Sequence, residues 1–176
     1  MKQVGSIFAS IWILAICSSS LAAGNVGLRT YLSSLPRVVS LSQIDLDAYV
    51  FSYKQQTSYP LILGLKASSY QNEHSINEFL LYIPREELTR TEIDLLNEVA
   101  LSLVLKCFNI RPDRKPAIAD FMATQAVYGW RTRAADFGPL EVQYEHQLIS
   151  DHTATVVWLR RSGTPGQSPW INYCTF

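Results

Sequence analysis

Residues 89–108 read TRTEIDLLNEVALSLVLKCF. At about 100° per residue, Ile93, Leu96, Val99, Ala100, Leu103, Val104 and Cys107 share one broad face, while Leu95, Leu101, Leu105 and Phe108 lie well away from it. Glu98, Ser102 and Lys106, each four apart, leave a single thin polar line along the second half. A helix apolar around so much of its circumference must be covered on several sides, which makes it the core helix of the fold. Its ends are marked as well. Thr89 and Glu92 have the spacing of a capping box, with Glu92 and Asp94 near the start of the helix dipole and Lys106 near its end. Pro112 and the polar run RPDRKP stop the helix by about Asn109, after about five turns.

Downstream, PAIADFMATQAVYG places Ile118, Phe121, Met122 and Gln125 on one face and ends at Gly129, a residue suited to a helix C-terminus. This predicts a second, shorter helix. From Trp130 the pattern changes to period two. In LEVQYEHQL, Leu140, Val142, Tyr144, His146 and Leu148 share one face and Glu141, Gln143, Glu145 and Gln147 the other, the clearest strand in the chain. The run TATVVWLRR pairs with it through a turn at Asp151 and His152. A two- or four-residue loop sets Tyr144 opposite Leu159, His146 opposite Val157 and Glu145 opposite Trp158; a three-residue loop shifts this by one.

Upstream, YPLILGLK (59–66) and EFLLYI (78–83) read as strands joined by an exposed polar segment, SSYQNEHSIN. The stretch SLSQIDLDAYVFSYKQQ (40–56) carries two signals. Its alternation suits a strand, while Ser42 with Asp45 and a late Lys54 suit a capped helix, and the helix is the narrow preference. Residues 25–37 show little periodicity and read as a tail with a turn of helix. GTPGQSP is a loop, and PWINYCTF a last strand.

The first residues, MKQVGSIFASIWILAICSSSLAAG, combine a lone Lys2, an apolar run, a serine cluster and a small-residue site. This is the form of a secretory signal peptide over residues 1–22, cleaved after Ala22 or Ala23 and leaving one exported domain over residues 23–176. An uncleaved membrane anchor is weakened by Ser18, Ser19 and Ser20, and lipidation at Cys17 by the bulky Ile16 before it. The remaining length suits one domain with a real core.

Of three cysteines, Cys17 falls in the signal segment, so Cys107 and Cys174 admit a single disulfide in an oxidising compartment; two buried free thiols are the alternative. Removing Lys2 leaves fourteen basic against fifteen acidic residues, a balance that argues against a nucleic-acid partner. A membrane partner follows only from an uncleaved signal segment.

Motifs for chemistry are missing. There is no HExxH, CxxC, GxSxG, SxxK, phosphate loop or dinucleotide fingerprint, so no metal, cofactor or nucleophile is assigned. Glu141 and Glu145 stand about 13 Å apart on a strand, too far for glycoside hydrolysis. The basic knots Arg111, Arg114, Lys115 and Arg131, Arg133 read as solvated loop charge.

His146 interrupts an apolar face, either as a core or sheet-edge histidine held by one hydrogen bond or as a general base. The fold expected is α+β, an antiparallel sheet of four to six strands with the long helix and the shorter one packed on one face.

Two functions are compatible with these features. The first is an exported, periplasmic or secreted, non-enzymatic protein that binds a protein or other macromolecule of the cell envelope, as an inhibitor, immunity-type or assembly protein. Its candidate surface is Glu141, Gln143, Glu145, Trp158 and Arg160, aromatic and charged as interfaces are. The second is a small hydrolase built around His146.

Overall fold

The computed structural model describes residues 24–54, 61–69, 74–128, 132–149 and 152–176. The expected signal segment, Tyr59, Gly129, Trp130, Arg131 and Asp151 lie outside the described residues.

The core helix is α2, Arg90–Lys106. Thr89 Oγ1 accepts from Glu92 N at 3.3 Å and Thr89 N donates to Glu92 Oε2 at 2.8 Å, so both halves of the capping box are made. After Lys106 the Ile110 N–H returns to the Val104 carbonyl and Asn109 takes a left-handed φ of 50°, a conformation Asn tolerates better than most residues. The polar line is as read: Glu98 and Lys106 are exposed and Ser102 half-buried, while Leu95, Leu96, Val99, Ala100, Leu103 and Val104 are buried. Helix α3, Lys115–Tyr128, follows a 3-10 turn at Pro112–Arg114 and buries Ile118 and Met122.

The fold is α+β, with a main antiparallel sheet of seven strands among the described residues. These are β2 (Val38–Asp45), β3 (Ala48–Tyr53), β4 (Leu61–Ser68), β5 (Glu78–Ile83), β6 (Arg133–Phe137), β7 (Leu140–Ile149) and β8 (His152–Arg161), in spatial order β2-β3-β4-β5-β8-β7-β6. Alternate residues of these strands, among them Tyr49, Phe51, Tyr53, Leu63, Leu65, Phe79, Leu81, Val142, Val157 and Leu159, form one core with the helices. The architecture is a sheet with its helices on one face.

The strand count exceeds the expected four to six for two reasons. Of residues 40–56, the described ones, 40–54, supply a hairpin instead of a helix. Burial alternates perfectly along β3, hiding Tyr49, Phe51 and Tyr53, and aromatic side chains on a pleated surface outweigh the Ser42 and Asp45 cap signal. Asp45 instead holds the turn, its Oδ1 accepting from Leu46 N at 2.7 Å. The second addition, β6, joins β7 through Gly138 and Pro139, where Gly138 has the φ of 71° that favours glycine in a two-residue turn.

Residues 25–37 are not a loose tail. They form β1 (Gly24–Gly27) and a third helix, α1 (Leu28–Ser33), which buries Leu28 and Leu32 completely and sends the Tyr31 hydroxyl to the Ser102 carbonyl on α2 at 3.0 Å. Strand β1 pairs in parallel with the last strand, β9 (Asn172–Thr175), outside the main sheet. The segment before β5 also departs from expectation. Ser75, Ile76 and Asn77 are buried, because Ile76 N donates to the Cys174 carbonyl and Ser75 bridges Thr175.

Cys107 and Cys174 are disulfide-bonded, with Cα atoms 4.7 Å apart and both residues fully buried. The bond ties the end of α2 to β9. Beside it Trp170 donates Nε1 to the Cys107 carbonyl at 2.9 Å, and Phe108 lies between Phe79 and Trp170 at centroid distances of 5.1 and 5.6 Å. Trp170 is therefore core.

Candidate functional site

The β7–β8 register pairs Tyr144 with Val157, His146 with Thr155, Gln143 with Trp158 and Glu141 with Arg160. This is two residues removed from the expected pairing, because His152 is the first residue of β8, opposite Ile149, and not part of the turn. A shift of two keeps every side chain on its face. Glu141, Gln143, Glu145, Trp158 and Arg160 accordingly lie together on the face of the sheet opposite the helices.

On β5 the next cross-strand partners are Glu78 for Arg160, Leu80 for Trp158 and Tyr82 for Val156, and β4 adds Gly64 beside Tyr82. The Tyr82 ring lies directly over Gly64, in the space a Cβ there would occupy, so the missing side chain lets the aromatic ring lie on the sheet. No described helix packs on this face. Ile62 on it is 52% exposed and Leu80, Tyr82 and Trp158 are half-buried, although Ala154 and Val156 are covered.

The polar side chains of this patch are held in place. Trp158 donates Nε1 to Glu145 Oε1 at 2.8 Å, and Gln143 and Thr132 donate to Oε2 at 3.0 and 3.2 Å. The Arg160 guanidinium stands 4.9 Å from the Trp158 ring centroid, pairs through Nε with the buried carboxylate of Glu78, and reaches Glu141 only at 3.8 Å. Reading residues 78–83 as a strand could not reveal that Glu78, Leu80 and Tyr82 belong to this surface, because their neighbour β8 lies some seventy residues downstream.

His146 sits at the other end of β7. It is half-buried, with Nδ1 3.5 Å from Thr155 Oγ1, the outer limit of a hydrogen bond. That hydroxyl already lies 2.9 and 3.1 Å from the carbonyls of Arg85 and Glu86. Leu148, two residues on, is 74% exposed, so the apolar face of β7 ends at Tyr144 and does not continue through His146. Burial pushes the Tyr144 phenol up to about 12, with the Thr155 side chain acting in the other direction.

A groove of about 350 Å³ separates α2 from α3, floored by Leu101, Leu105 and Ala119 and bordered by Asn97, Glu98 and Lys115. Neither His146 nor the sheet patch contributes to it. Arg161 is buried below the sheet, its guanidinium carbon 4.5 Å from the Trp170 ring centroid, and burial lowers its pKa to about 10. In the basic knot after α2, Arg111 is paired with Asp113 at 2.8 Å.

Among the described residues, no helix is long and apolar enough to cross a membrane. No protein-family model, curated protein or solved structure matches this chain.

Proposed function

We propose that this is an exported, non-enzymatic protein that binds another macromolecule of the cell envelope through the outer face of its sheet. One observation carries the reading: Glu141, Gln143, Glu145, Trp158 and Arg160 adjoin one another, with Leu80 and Tyr82 beside them, on the sheet face that no described helix covers. An aromatic centre with a polar rim, its side chains held by hydrogen bonds before any partner arrives, lowers the ordering cost of association.

Export rests on the signal-like first residues and is supported by the Cys107–Cys174 bond, which suits an oxidising compartment. The mature chain begins at Ala23 or Gly24. N-terminal sequencing of protein recovered outside the cytoplasm tests this, and an intact Met1 there refutes it.

Binding is tested by affinity capture from envelope extracts with the mature protein and with Trp158→Ala and Glu145→Lys, each first shown to be folded by circular dichroism. Loss of a captured partner by both variants supports the assignment; undiminished capture by both refutes it. Substrate turnover abolished by His146→Ala would instead establish the hydrolase.

A further inference from the structure

We infer that the segment recognised by this face belongs to a protein and is basic and amphipathic, laying apolar side chains over Leu80, Tyr82 and Trp158 and lysine or arginine against Asp136, Glu141 and Glu145. This rests on the outer face being the binding surface and adds the chemistry of its partner.

The charge of the patch is decided by what Arg160 is committed to. Its partner Glu78 has a side chain only 5% exposed, and a carboxylate that far from water needs its cation. With Arg160 held there, and 3.8 Å from Glu141, the outward positions of β6 and β7 carry Asp136, Glu141 and Glu145 and no described cation, an excess of negative charge that Arg114, packed against Gly138 in the β6–β7 turn, offsets only in part. Glu145 accepts hydrogen bonds from neutral donors only, Trp158, Gln143 and Thr132, none of which brings an opposite charge to it.

Asp136 and Glu141 are direct cross-strand partners, and Asp136 makes no ion pair among the described residues. Like charges directly opposite one another destabilise an antiparallel pair. A free protein that carries such a pair beside an uncovered aromatic row is built for a cation supplied from outside.

Apolar and acidic parts are arranged side by side. Leu80 and Trp158 are cross-strand neighbours, Tyr82 lies over Gly64, and half-exposed Ile62 continues the row on β4, where Lys66 beside Leu80 is paired with Asp47 at 3.8 Å, while the carboxylates line the opposite margin on β6 and β7. A segment apolar along one side and basic along the next matches both. The carboxylates would steer its approach and make its affinity fall with salt.

The probes are a synthetic amphipathic helix of leucine and lysine and the same helix with glutamate replacing lysine, each carrying a fluorophore and titrated with the mature protein by anisotropy. The lysine peptide should bind at least about tenfold more tightly than the glutamate peptide, with an affinity that weakens as salt rises. Glu141→Lys and Asp136→Lys should each weaken it about tenfold or more, whereas Asp120→Lys, the same charge change on exposed α3 residue 120, should not. Asp136→Asn should raise the melting temperature while weakening binding, a combination that a purely structural role would not produce.

Equal binding of the two peptides, an Asp120→Lys effect as large as that of Glu141→Lys, or unchanged binding by Asp136→Asn overturns the inference. The native partner separates its failure from that of the broader reading. A partner released by Trp158→Ala but kept by both lysine variants leaves the face standing without basic recognition; one kept by all three removes both.

Discussion

Replacing Cys107 and Cys174 together by alanine should cost about 4 kcal/mol. The two residues are 67 apart in sequence, and closing a loop of that length removes about 4 kcal/mol of chain entropy from the unfolded state. Deleting two fully buried sulfur atoms adds a smaller packing loss. The folded state should otherwise be retained, because its neighbouring contacts do not use sulfur: Ile76 N still meets the Cys174 carbonyl, Trp170 still meets the Cys107 carbonyl, and β9 still pairs with β1.

The measurement is urea unfolding followed by circular dichroism, oxidised wild type against variants. The midpoint should fall while the m-value rises, since the unfolded chain without its cross-link exposes more surface. In thermal melts the same loss is roughly 8 to 16 °C for a domain of this length. Cys107→Ala and Cys174→Ala alone should each lose nearly as much as the double variant, because either one removes the same link. Single losses that sum to the double loss would show a packing effect only, and a double loss below about 1 kcal/mol would refute the cross-link argument.

Arg160→Ala should destabilise by about 3–5 kcal/mol by removing the guanidinium that pairs with the buried Glu78 carboxylate, and adding Glu78→Leu should recover most of that loss in chemical denaturation; an unchanged midpoint for the single variant would refute the pairing argument. Gly64→Ala should cost about 1–3 kcal/mol by displacing the Tyr82 ring, and Tyr82→Ala in the same chain should make the Gly64 change close to neutral, with additive effects counting against the contact. Tyr144→Phe should blunt alkaline destabilisation. The folded phenol, raised to about 12, holds its proton more tightly than the unfolded one at 10.0, so its contribution is full below pH 10 and is lost as pH rises through 12. Arg161, lowered to about 10, acts in the opposite sense as pH rises. Melting temperatures of variant and wild type that decline in parallel between about pH 9.5 and 11.5 would contradict the Tyr144 assignment.

The features legible in the sequence are those whose signals are local. The capping box at Thr89, the all-round apolarity of α2 and the alternation along β7 are each written within a few turns or one strand, where backbone geometry makes near neighbours in sequence near neighbours in space. The Cys107–Cys174 pairing was legible because reading residues 1–22 as a signal segment leaves one possible pair. Which residues of β7 and β8 share a face was also legible, since an error of two in register does not change the side to which a side chain points.

Tertiary contacts decided the rest. Residues 40–56 hold helix and strand signals of similar strength, and it is the burial of Tyr49, Phe51 and Tyr53 against distant helices that selects the hairpin. The apparent tail is ordered by α2 and by β9, nearly 150 residues further along the chain, and neither leaves a mark in its own sequence. His146 looked exceptional only on the assumption that the whole of β7 faces the core, which ends at Tyr144. For the candidate surface, the sequence named residues of one hairpin. The addition of Leu80, Tyr82 and the buried Glu78, and the opposition of Asp136 to Glu141, arise from strand order and pairing, which depend on long-range packing that no local pattern encodes.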